Sequence, residues 1–350
     1  MKKITTLLLC LALLVSLAAC GSDTKKNNST ETPATATPTG TGEPDATPTG
    51  TPIVRENINV AVLKGPTAIG MLPLMDADEK NTSRNDYTFT VAGSADAVVG
   101  SIIKGDIPIA AVPCNLAATL YQKTNGGVAV AAVNTLGVLY ILETGESIST
   151  VTDLKGKTIY ATGAGTTPEY TLRYLLTSAG IDPDKDVNIV LLSEASEAAA
   201  KLAAADKGTV AMLPMPYVIS VLKQNADARI ALDVTKEWEK LNSSTVVTGV
   251  IVVNRRYLES HKAAVDAFLA EYAESTAFAA AEVEQTAELS EHFDIFKKAI
   301  AKEAIPYCNI VCLTGSDMKT AVSAYLEVLH QANPASVGGK LPDEAFYYMP

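Results

Sequence analysis

The segment Thr162-Gly163-Ala164-Gly165-Thr166-Thr167-Pro168-Glu169 joins a strand pattern to a well-signalled helix start. Its glycines allow the backbone to turn so that consecutive N–H groups point outward. The helix dipole adds positive potential there, and threonine hydroxyls can donate. Thr162, Gly165, Thr166 and Thr167 therefore read as contacts for an anionic or strongly polar group. The alternative is a glycine turn with Thr167 as a plain N-cap. Three further loops have the same character: Gly65-Pro66-Thr67 with Lys64 beside it, Gly93-Ser94-Ala95-Asp96, and Pro113-Cys114-Asn115. Capping explains each of these as well as ligand contact does, but several helix starts can converge on one crevice.

Catalytic signatures are absent from the sequence. Gly163-Ala164-Gly165 lacks the third glycine of a dinucleotide fingerprint, since Pro168 stands in its place. Gly156-Lys157-Thr158 has the tail of a phosphate-binding loop, yet Val151 occupies the position of its first glycine. His261, His292 and His330 all fall in the C-terminal third without a zinc-protease neighbour, and no nucleophile elbow is present. Asp182 and Asp184 sit in a solvated turn. Cys308 and Cys312 have no second pair to complete a metal site and, with Cys114, read as buried small apolar residues. No catalytic residue, metal or cofactor is expected.

The elements around these loops alternate. Strand patterns at Ile58–Leu63, Tyr87–Ala92, Ile107–Val112, Val128–Val133 and Val138–Leu142 are interleaved with helix patterns such as Ala95–Lys104 and Leu116–Lys123. A second block continues with strands at Thr158–Thr162, Val187–Leu192, Val210–Leu213 and Val246–Val253. Its helices are Thr167–Ala179, Glu194–Ala205 and Tyr217–Asn225. The strands are rich in Val, Ile and Ala without clean alternation, as strands covered on both faces are. The predicted fold class is α/β, with parallel-rich sheets and a helical C-terminal tail over His261–Thr286, Leu289–Ala301 and Ser316–Gln331. Ligands of such sheets sit at the carboxyl ends of the strands, where these loops fall.

Composition narrows the partners. The 350-residue chain has a formal net charge of −11 and no basic patch, which argues against nucleic acid. Ala263 to Val283 is interrupted by Asp266, Glu271, Glu274 and Glu282 and reads as an amphipathic helix. Lys2 and Lys3 precede the apolar run Ile4–Ala19, which is short for a spanning helix. Leu17-Ala18-Ala19-Cys20 resembles a bacterial lipoprotein signal, with Cys20 as the lipidated first residue of the mature chain. Residues 20–56 are then a Thr/Pro-rich disordered tether able to reach on the order of 100 Å.

From Gly156-Lys157-Thr158-Ile159 through Gly163 to Tyr170, then Leu175-Leu176 and Ala179-Gly180-Ile181-Asp182-Pro183, the chain resembles extracytoplasmic solute-binding proteins of ABC importers. The group in question serves nitrate, sulfonates, taurine and thiamine-precursor pyrimidines. Gly249-Val250-Ile251-Val252-Val253-Asn254 resembles that family's return crossing. The resemblance implies a two-lobed periplasmic-binding-protein-like (type II) fold: residues 57–142 and 250–350 as lobe 1, residues 143–249 as lobe 2, and crossings near Leu139–Thr144 and Thr245–Val250. It implies a small anionic or polar organic solute held in an interlobe cleft, a separate permease and ATPase, a monomer, and a lipid-anchored position on the outer face of the cell membrane. Relatives often carry Glu between two prolines where Pro214-Met215-Pro216 stands here. Met215 and Pro216 thus join the expected cleft, and a cationic ligand is disfavoured. A same-fold enzyme of cofactor biosynthesis and a ligand sensor without transport remain as alternatives.

Overall fold

The computed structural model describes residues 55–350; the signal segment, Cys20 and nearly all of the tether lie outside the described residues. The chain begins β1 (Asn57–Leu63), α1 (Pro66–Ile69), α2 (Leu72–Glu79), β2 (Asp86–Ala92), α3 (Asp96–Lys104), β3 (Ile109–Pro113), α4 (Cys114–Lys123) and β4 (Val128–Thr135). It then crosses into β5 (Leu139–Thr144), β6 (Thr158–Thr162), α5 (Thr167–Ser178), β7 (Asn188–Leu192), α6 (Ala195–Ala203), β8 (Val210–Pro214), α7 (Tyr217–Gln224), β9 (Ala228–Asp233) and α8 (Val234–Glu239). It returns through β10 (Gly249–Asn254), α9 (Arg255–Ser260), α10 (Lys262–Ala281), α11 (Val283–His292), α12 (Lys298–Ala304), β11 (Ile310–Leu313) and α13 (Gly315–Ala332).

Two sheets result, ordered β11-β4-β10-β3-β1-β2 and β7-β6-β8-β5-β9. Strands joined by helical crossovers pair in parallel, as β1 does with β2 and β3, and β6 with β7 and β8. The strands that carry the chain between lobes, β5 and β10, run antiparallel to their neighbours. All eight residues of β4 are buried, because β10 and β11 flank it and α13 packs against it. That explains its unbroken Val/Ala run.

The structure shifts some sequence boundaries. Leu139–Leu142, expected in lobe 1, pair with β8 and β9, so the first crossing is complete by Leu139. Gly249, expected in lobe 2, pairs with Pro113 and Thr135 of the first sheet. The predicted helix 261–286 breaks at Glu282, and the predicted helix 289–301 is instead the end of α11 and the separate α12. β9, α8 and β11 were not anticipated. β11 lies between the last two helices expected in the C-terminal tail, and forms because β4 offers it an open edge.

The lobes are packed together as well as joined. Fully buried Trp238 of α8 has Tyr174 of α5 at 4.8 Å and Tyr325 of α13 at 5.1 Å between ring centroids. The Tyr325 hydroxyl shares a 2.7 Å hydrogen bond with Thr171. The last helix therefore packs on β4 of one lobe and α5 of the other. Residues 53–350 form one compact unit holding both hydrophobic cores, so this part of the chain contains what its fold requires. Among the described residues, no helix is long and apolar enough to cross a membrane.

Candidate functional site

The carboxyl ends of β1, β3, β6, β7 and β8 open onto a cavity of about 480 Å³ between the sheets. The first lobe lines it with Leu63, Lys64, Gly65, Pro66, Thr67, Gly93, Ser94, Ala95, Asp96 and Pro113. The second supplies Leu139, the loop residues Thr162, Gly163, Ala164, Thr166 and Pro168, then Leu191, Leu192, Ser193, Ala195 and Pro214. Thr248 of the return crossing completes the wall. The cavity thus combines an apolar lining with a few hydroxyls, the usual balance for a small organic solute.

Of the residues expected at the cleft, Gly65, Pro66, Thr67, Gly93, Ser94, Thr162 and Thr166 line it. Cys114, Asn115, Gly165, Thr167, Met215 and Pro216 do not. Cys114 is fully buried beneath the start of α4, and that burial pushes its thiol up. Asn115 and Thr167 are also fully buried, because they bond to each other: the Thr167 hydroxyl donates to Asn115 Oδ1 at 3.2 Å. Asn115 Nδ2 donates to the carbonyls of Gly165 at 3.1 Å and Ser336 at 2.8 Å. Met215 is 2% exposed, and its N–H donates to Val138 at 3.0 Å.

The glycine loop adopts the expected backbone, with φ of 78° at Gly163 and 68° at Gly165. Its donors, however, are largely used within the chain. The Gly165 N–H donates to Glu169 Oε2 at 2.8 Å, and both the N–H and hydroxyl of Thr166 donate to the Gly163 carbonyl. Glu169 also pairs with Arg173 at 2.7 Å. The open anion nest read from the sequence is therefore occupied by a carboxylate from the loop's own helix. Across the cavity the Thr67 hydroxyl donates to Leu63 at 2.9 Å.

Sequence reading missed Thr248, Leu139, Leu191, Leu192 and Pro214. Leu191, Leu192 and Pro214 lie at strand carboxyl ends, a position that could have marked them. Thr248 was read as mid-strand, but β10 begins one residue later. Its buried hydroxyl has no protein partner, and neither do the nearby Asn134 amide and Thr135 hydroxyl. Gly249 makes room for that amide: a Cβ there would lie 2.4 Å from Asn134 Oδ1 and 3.1 Å from the Thr67 methyl.

Residues 119–286, which run from α4 through the second lobe and into α11, match the family described as NMT1/THI5 like. This match makes residues 119–286 similar to the NMT1/THI5-like family. An ABC transporter structure from Parabacteroides distasonis is 25% identical, with a TM-score of 0.68 over 83% of this chain and 98% of that one. The alkanesulfonate-binding protein of Xanthomonas axonopodis pv. citri, bound to MOPS, is 16% identical, with a TM-score of 0.64 over 82% and 94%. The nitrate-binding protein of Synechocystis PCC 6803 is 12% identical, with a TM-score of 0.55 over 68% and 66%. No curated protein matches the sequence. The two sheets have the fold of these periplasmic-binding-protein-like structures.

Proposed function

We propose that this chain is the extracytoplasmic solute-binding component of an ABC import system. It is held to the membrane by lipid on Cys20 and delivers a small polar organic or anionic solute, of the sulfonate, nitrate or pyrimidine-precursor type, to a separate permease and ATPase. The cavity between the lobes carries this reading. The loops at the carboxyl ends of both sheets line it, and only two crossings and the packed interlobe contacts join the lobes. A solute touching Thr67 and Ser94 on one side and Thr162 and Thr166 on the other makes its full set of contacts only when the lobes are together. Its binding energy then favours the closed form. The acidic, tethered chain fits capture at the outer face, with the monomer as the working unit. Site roles are assigned to Gly65, Pro66, Thr67, Gly93, Ser94, Thr162 and Thr166, and newly to Thr248.

The test is native mass spectrometry of the freshly purified unit 53–350, followed by thermal unfolding with sulfonates, nitrate and pyrimidines. A retained small molecule is expected, or stabilisation by about 2.7 kcal/mol at a hundredfold excess over Kd. A protein that arrives empty and responds to none of these would defeat the proposal.

A further inference from the structure

We infer that, among the solute types proposed above, the cleft prefers those without net negative charge over oxyanions such as sulfonates and nitrate. This rests on the solute-binding reading and narrows it.

Three placements of charge support the inference. On the second lobe, the lining residue Ser193 gives its N–H to Glu197 at 3.0 Å, and outside the lining Gly165 gives its N–H to Glu169 at 2.8 Å. An incoming anion would have to displace carboxylates already bonded there. At the rim, Glu194 reaches across from the second lobe to the first. Its carboxylate lies so close to Gly93 that a Cβ on that glycine would be 2.3 Å from Oε1. Among the described residues no cation pairs with Glu194, whose carboxylate accepts from the Ser196 hydroxyl. On the first lobe, Asp96 stands in the first turn of α3, where its charge offsets the helix dipole. Among the described residues, Lys64 is the only cationic side chain in the lining, and it stands 3.8 Å from the exposed Asp294. Burial first, and then the negative charge of Glu194, push the nearby Tyr217 hydroxyl up to about 12. Among the described residues no arginine lines the cavity to give an oxyanion a bidentate partner. What remains for a solute is an apolar wall with isolated hydroxyls, including the partnerless Thr248. That suits an uncharged or amine-bearing ring.

Matched probes on one ring test this with the 53–350 unit, after native mass spectrometry shows that any retained molecule has been removed. Calorimetric titrations use pyridine-3-sulfonate, nicotinamide and 3-(aminomethyl)pyridine, with nitrate and methanesulfonate alongside. The neutral or amine member should bind at least about tenfold more tightly than the sulfonate, and Glu194→Gln should shrink that preference about fivefold. A sulfonate or nitrate binding as tightly as its uncharged counterpart, or more tightly, overturns the inference and leaves solute capture standing. Silence from every probe removes the capture reading, and this inference falls with it.

Discussion

Asn115 at the start of α4 donates from Nδ2 to the carbonyl of Gly165, 3.1 Å away in the opposite lobe. The same side chain accepts from Thr167 and holds Ser336 of the C-terminal segment. One amide therefore ties a first-lobe helix, the second-lobe glycine loop and the chain terminus together. This staple explains why the glycine loop keeps its shape while most of its donors are turned away from the cavity.

Asn115→Ala should destabilise the protein by about 2 kcal/mol, because the Thr167 hydroxyl, the buried Ser336 carbonyl and the Gly165 carbonyl lose their partner. Asn115→Asp should be at least as damaging, since it sets a carboxylate against the carbonyls of Gly165 and Ser336. Urea unfolding would read both, and a change below about 0.5 kcal/mol in either would show that the staple does not matter.

Thr248 and Thr167 should separate binding from stability. Thr248→Val removes a buried hydroxyl without a protein partner, so stability should hold or rise slightly while solute affinity falls about tenfold. Thr167→Val should cost about 1 kcal/mol through its lost bonds with Asn115. Melting and calorimetry on the same preparations give the comparison, and the opposite pattern would reverse the two assignments.

Glu143 should govern part of the acid sensitivity. Its side chain is inaccessible, and burial pushes its carboxyl up. That is outweighed by hydrogen bonds from Ile148 and Ser147 and by the charge of Arg229, so the net displacement is below the usual carboxylate value. A lowered folded value means the stabilisation is complete above the unfolded value of about 4.3 and is lost as pH falls through the folded one. Glu143→Gln should lower stability at neutral pH by about 3 kcal/mol and flatten the acid limb of a stability–pH curve. An unchanged acid limb would assign that sensitivity to other carboxylates.

Gly137 lies in the first crossing, with the side chain of Thr235 directly over it. A Cβ there would be 1.9 Å from Thr235 Oγ1 and 2.9 Å from its Cβ. The threonine is short and branched and cannot swing clear, so Gly137→Ala should cost about 2 kcal/mol. Thr235→Ala should recover part of that loss in the double variant, as measured by thermal unfolding. Full stability of the single variant would mean that the crossing shifts freely.

The residues at Leu63, Pro113, Thr162 and Pro214 show how far the sequence reaches. Apolar runs ending in Gly, Ser, Thr or Pro and followed by helical periodicity announce strand ends and loops from neighbouring residues alone. On that basis the α/β class, most elements and the glycine turns at Gly163 and Gly165 were legible. β9 and β11 were not, because each is a short edge strand whose stability comes from β5 or β4, distant in the chain. Thr248 was hidden for a related reason: its place at the edge of β10 depends on where pairing with β3 and β4 begins.

Local chemistry by itself determined where polar loops would stand and which helices would follow them, because glycine conformation, capping and strand patterning act over a few residues. Only the tertiary structure decided which of those loops face the cavity and which groups within them remain free. Glu169 fills the amide of Gly165 from one helical turn away, whereas Asn115 fills its carbonyl from 50 residues away. A buried donor or acceptor bonds whatever partner the packing brings within reach, and over that distance the fold chooses the partner.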